Sequence, residues 1–119
     1  MTIRIESPEG HDASMEFLLF EDQVYQHRSA RWPARIPLML PVLRAESPFN
    51  HERTIKPFVA RDGDRIIARC LALIDRGYNR HWSERLGHVC WFEAMPDTRD
   101  AVKSMMDAAC EWLRAMGAR

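Results

Sequence analysis

The chain has 119 residues, 17 basic and 17 acidic side chains, a formal net charge of zero and 46% hydrophobic residues. These values suit one folded domain and exclude disorder, collagen, a coiled coil and a disulfide scaffold. A neutral chain lacks the basic excess of a DNA-binding module, no stretch reaches the ~20 apolar residues of a membrane helix, and the first residues form no apolar signal core, so a cytoplasmic protein without DNA or membrane partners is expected.

Residues 2–6 alternate, with Ile3 and Ile5 on one face, which predicts a short half-buried strand. Ser7-Pro8-Glu9-Gly10 breaks it. Asp12 or Ser14 can then cap a helix running to about Gln26. Its apolar face is Phe17, Phe20 and Val24, with Leu18 and Tyr25 beside them. In residues 27–53, Pro33, Pro37, Pro41 and Pro48 forbid a long helix. Ile36, Leu38, Met39, Leu40, Val42 and Leu43 are nevertheless apolar, which predicts a short helix or turn near 38–44 pressed on the core. A substrate lid is the alternative for this long irregular stretch.

Residues 55–61 and 65–75 read as two strands about Asp62-Gly63, a hairpin signal in which both central turn residues take positive φ. Pro57 belongs near a strand end or on an edge-facing site, because it cannot donate to the ladder. The second strand is apolar on both faces. Ile66, Ala68, Cys70, Ala72 and Ile74 form one face; Ile67, Leu71 and Leu73 form the other, interrupted by Arg69. Such a strand is central and covered on both sides.

Residues 76–86 read as a polar loop, and residues 87–93 as a third strand. Val89 and Trp91 share one face of it; His88, Cys90 and Phe92 share the other. After Met95-Pro96, Asp97-Thr98-Arg99-Asp100 resembles a capping box with Asp97 as the cap. The final helix carries an apolar stripe of Val102, Met105, Met106, Ala109, Trp112, Leu113 and Met116, and Gly117 ends it. The order β-α-(α)-β-β-β-α predicts an α/β or α+β domain over residues 1–119, with a mixed, mostly antiparallel sheet flanked by helices.

The three cysteines, Cys70, Cys90 and Cys110, are an odd number and fit reduced, buried thiols better than bridges. Fifteen of the 17 basic residues are arginine, which reads as codon bias before it reads as anion recognition. Residues 28–35 and 76–85 gather much of that arginine around Trp32, Tyr78 and Trp82, a composition that can stack on nucleotides but is here interleaved with acid and reads as solvated loop. His81, His88 and Cys90 offer no fourth donor for a closed zinc site, so no metal is expected. Arg69, set among apolar neighbours, either binds a carboxylate or phosphate or pairs with Glu93 or an aspartate; pairing is the favoured reading.

The element order and a set of motifs resemble the amino-terminal part of a GCN5-related N-acetyltransferase (GNAT) domain, in a group of uncharacterised bacterial proteins. The motifs are Pro48-Phe49 with His51, Phe58-x-Ala60-x-Asp62-Gly63, Ile67-Ala68-Arg69, Tyr78-Asn79, Gly87-x-x-x-Trp91-Phe92-Glu93, and Trp112-Leu113 before Gly117. The resemblance implies that Glu93 ends the strand that carries the general base in many such enzymes. It also implies further carboxy-terminal strands and a helix that this chain lacks, leaving the edge of residues 87–93 for self-association, as a dimer, or for a missing carboxy-terminal half.

The resemblance implies an acetyl-CoA loop before the final helix. Such loops use glycine-rich backbone and a helix N-terminus to cradle pyrophosphate. Here the junction is Ala94-Met95-Pro96-Asp97-Thr98-Arg99-Asp100-Ala101, with no glycine and two aspartates. No cofactor is therefore expected on this chain alone. Three functions follow: a non-catalytic assembly or ligand-binding module; part of an acyl-CoA-dependent N-acetyltransferase completed by a longer chain or partner subunit; or a small-molecule binding protein using Arg69, Asn79 and Trp91.

Overall fold

The computed structural model describes residues 2–28 and 34–119. Its elements are β1 (Ile3–Glu6), α1 (Gly10–Val24), α2 (Ile36–Leu43), β2 (Arg53–Asp62), β3 (Arg65–Asp75), α3 (Arg76–Trp82), β4 (His88–Ala94) and α4 (Arg99–Ala115), with a 3₁₀ turn at Pro48–Asn50. The four strands form one sheet in the order β1-β2-β3-β4, every pair antiparallel. Trp32, expected in an arginine-rich loop, lies outside the described residues. No helix among the described residues is long and apolar enough to cross a membrane.

Helices cover both faces of the sheet, and β3 shows the result: residues 66–74 are all buried. On one face α4 lays Ala101, Met105, Ala109 and Leu113 against Phe58, Ala60, Ala68, Cys70 and Ala72. Alanines on both sides of this contact allow the helix to sit close to the strands. On the other face Phe17, Leu18 and Phe20 of α1 and Leu43 of α2 meet Val59, Ile66 and Leu71. Each fully buried phenylalanine there contributes about 2–3 kcal/mol of transfer free energy.

Two bulges correct the expected face assignments. Ala60 pairs with Ala68 but Arg61 pairs with Ile66, so Ile67 is the extra residue and Ile66 turns to the α1 face. In β4, Glu93 pairs with Arg69 and Cys90 with Leu71, so two residues of β4 oppose Cys70 alone. Cys90 and Trp91, expected on opposite faces, therefore both turn toward α1, and Trp91 takes φ of +53°.

Other boundaries also differ from expectation. α1 begins at Gly10 with Glu9 as its cap, ahead of Asp12 and Ser14. The hairpin loop is Gly63-Asp64, with Asp62 paired to Arg65. Positive φ falls on Gly63 and not on Asp64, as a type II′ turn requires. Residues 76–82, expected as loop, form α3: the Asp75 carboxylate caps it by accepting from the Tyr78 N–H at 2.9 Å, and Ser83 ends it in the left-handed region. Gly87 lies close to α4: a Cβ there would sit 2.8 Å from Leu113 Cδ2 and 3.2 Å from Ala118 Cβ, so a larger residue makes the Leu113 side chain shift.

Candidate functional site

The expected site residues Arg69, Trp91 and Glu93 converge where β3, β4 and α1 meet. Arg69 is 2% exposed. It sits on the α1 face because β3 alternates past the bulge. Its Nε donates to the Trp91 carbonyl at 3.1 Å, and its Nη1 donates to the carbonyls of Phe17 at 3.0 Å and Leu18 at 3.1 Å. The guanidinium also lies 5.2 Å from the centre of the Phe17 ring. Burial lowers the Arg69 pKa, while the carboxylates of Glu21 and Glu93 oppose that shift through space. The expected carboxylate contact is replaced by main-chain carbonyls, which satisfy the fork without a second buried charge.

Glu93 pairs across the strands with Arg69. Its Oε2 accepts the Tyr25 hydroxyl proton at 2.7 Å. That bond, more than burial, holds the Tyr25 hydroxyl above its ordinary pKa, because a phenolate would face the carboxylate. Tyr25 is the cap residue at the end of α1, so one hydrogen bond fastens that helix end to β4. The sequence motifs did not single out Tyr25 for this role; its place at the end of the helical stripe was the only signal.

Asn79 stands apart from this group. Its amide makes a reciprocal pair with Leu86: Nδ2 donates to the Leu86 carbonyl at 3.0 Å, and Oδ1 accepts from the Leu86 N–H at 3.1 Å. With Ile74, Arg76, Glu84 and Arg85 it lines a cleft of about 250 Å³ beside the end of α4. His81 packs edge-on to Trp82, and His88 edge-on to Tyr78. The Cys90 Sγ lies 3.6 Å from the Leu71 carbonyl oxygen, and burial raises the Cys90 thiol's pKa. Among the described residues no group of three or more His, Cys, Asp or Glu side chains is arranged to hold a metal ion.

The β4–α4 junction differs from the expected capping box. Thr98, not Asp97, is the cap residue, and its side chain makes no cap hydrogen bond. Asp97 takes φ of +60°, and the Thr98 hydroxyl donates backward to the Met95 carbonyl at 2.7 Å. Asp97 and Asp100 line the open space of about 360 Å³ at this helix start, together with Thr98, Arg99 and Ala101.

No protein-family model matches the chain, and no curated protein matches it. A solved structure does: a tandem GNAT protein from the clavulanic acid biosynthesis pathway, without AcCoA, aligns with a TM-score of 0.71 at 16% identity. The alignment covers 98% of this chain and 34% of that one, so the chain spans about a third of the solved protein's length. The α+β architecture, with its four-stranded antiparallel sheet and four helices, is thus a partial GNAT-like fold.

Proposed function

We propose that this chain is a single GNAT-like module that works by assembly through the open edge of β4 and does not transfer acyl groups on its own. The observation that carries the reading is the contrast between neighbouring strands. Every residue from 66 to 74 in β3 is buried, whereas β4, with five apolar residues among its seven, has none that is fully buried. Phe92 is 45% exposed. A largely apolar edge of this length, with no lysine or arginine in it, invites another strand. The opposite edge is blunted: β1 has four residues, and Arg4 and Arg61 both bond Glu6 there.

The residues of the β4–α4 junction do not fit the pyrophosphate of acetyl-CoA. Helix-start amides suit an anion. Two carboxylates beside those amides repel it, and no glycine lets a phosphate approach the backbone. Glu93, engaged by Tyr25, and Arg69, engaged by three carbonyls, serve the joint between α1 and the strands. Calorimetry with acetyl-CoA tests this part: no saturable heat is expected from this chain alone, and micromolar binding contradicts it.

A second reading has one observation in its favour, the coverage of 34% of the tandem protein. On that reading the module belongs to a longer acyl-CoA-dependent N-acetyltransferase whose remaining strands cover β4. A longer chain that binds acetyl-CoA where this one does not supports it.

A further inference from the structure

The residue order of β4 favours one kind of partner. From His88 the strand reads His-Val-Cys-Trp-Phe-Glu, then Ala94. The bulge sets Cys90 and Trp91 on the α1 face together, while Val89 and Ala94 join the α4 face. Alternation then places Phe92 toward α4 and both His88 and Glu93 toward α1. Counted outward from the Cys90–Trp91 peptide bond, the two halves of the strand match in face and in character. Each half has an apolar residue toward α1, an apolar residue toward α4 and a polar residue toward α1. The polar residues are complementary, an imidazole at one end and a carboxylate at the other.

We infer that β4 pairs antiparallel with β4 of a second copy of this chain, about a two-fold axis through the Cys90–Trp91 bond. The inference rests on the assembly reading above and adds its partner and register. Each His88 then faces Glu93 of the second copy, each Val89 faces Phe92, and each Cys90 faces Trp91, all on like sides of a continuous sheet. A carboxylate has capacity for several donors, so Glu93 can accept from the second copy while retaining Tyr25. Shifting the register by one residue either way sets α1-facing residues opposite α4-facing ones in every pair except the self-pair at the axis, so the bulge specifies the register. Parallel pairing in register instead places Glu93 against Glu93. The two bulges coincide at the axis, so both strands bend together. An isologous contact of this kind closes as a dimer and cannot propagate.

His88 is exposed, so substitutions there leave the core intact. The dimer dissociation constant is measured by sedimentation equilibrium for the native chain, His88→Glu and His88→Arg, with circular dichroism as the folding control. Two symmetric contacts per dimer lead to an increase of about tenfold for His88→Glu, where like charges face, and a several-fold decrease for His88→Arg. A dimer whose constant is the same in all three chains, or is raised equally by both substitutions, overturns the register and leaves edge assembly standing. A native chain that is monomeric at every concentration overturns both.

Discussion

Tyr25, the cap residue of α1, donates its hydroxyl proton to Glu93 of β4 over 2.7 Å, linking positions 68 residues apart. The bond joins the end of the first helix to the outermost strand, and Arg69 anchors the middle of the same helix to β3 and to Trp91. The open edge strand is therefore held from its inner side by two polar attachments.

Tyr25→Phe removes the first attachment and keeps the ring. A loss of about 1 kcal/mol in urea unfolding is expected for one net hydrogen bond. The raised Tyr25 pKa also has a pH consequence. A group that binds its proton more tightly when folded contributes stability below its unfolded pKa, and loses it as pH climbs through the folded value. The native chain should therefore lose stability above about pH 10 more steeply than Tyr25→Phe.

Arg69→Met keeps length and apolar contact but deletes the donors to Phe17, Leu18 and Trp91. The two helix carbonyls can keep their helical partners, so Trp91 at the bulge suffers most. A loss of about 2–4 kcal/mol is expected by denaturant titration, since a buried polar network is broken. Hydrogen exchange should rise first at β4 and the end of α1. Equal protection throughout the sheet in native and variant chains contradicts this anchoring role.

Asp75 has its pKa lowered first by the Tyr78 N–H and then by Arg53, despite opposing desolvation. A carboxylate with a depressed folded pKa contributes stability above its unfolded pKa, which is lost as pH falls through the folded one. Thermal stability should thus decline below about pH 4, and Asp75→Ala should flatten that decline. At neutral pH the substitution should cost about 1–2 kcal/mol, as for other lost helix caps, with disorder centred on α3.

Burial pushes the Cys70 thiol up to about 12. Its raised folded value again contributes stability below the unfolded pKa, and that contribution fades as pH rises from about 9 toward 12. At pH 8 Cys70 should be the last of the three cysteines to be alkylated, reacting at the global unfolding rate, whereas Cys90 and Cys110 are only half-buried. Peptide mapping of timed alkylation checks the order.

The strands were legible because alternation and apolar runs in residues 65–75 and 87–93 leave few other options. Faces were harder. A bulge adds one residue without a compositional mark, so Ile66 and Trp91 each turned opposite to their expected side. α3 was hidden because its cap, Asp75, also ends β3, and its seven residues bury none of their side chains. Asp97 and Asp100 had the spacing of a capping box, but positive φ at Asp97 moved the cap to Thr98. At the site, Arg69 and Glu93 were recognisable from charge placed among apolar residues. Their partners were not, because main-chain carbonyls and the distant Tyr25 carry no such signature. Asn79 lies in another cleft because α3 turns it toward Leu86.

Assembly through the open edge of β4, the role proposed for this chain, is read out as a mass in solution. Light scattering on the native chain and on Phe92→Lys, over matched concentrations, tests it most directly. Phe92 is exposed, so lysine there puts charge on the edge without emptying the core. A dimeric mass is expected for the native chain and a monomeric mass for the variant, with unchanged helical signal. A native chain that remains monomeric at high concentration, or a variant that dimerises as tightly as the native chain, contradicts it.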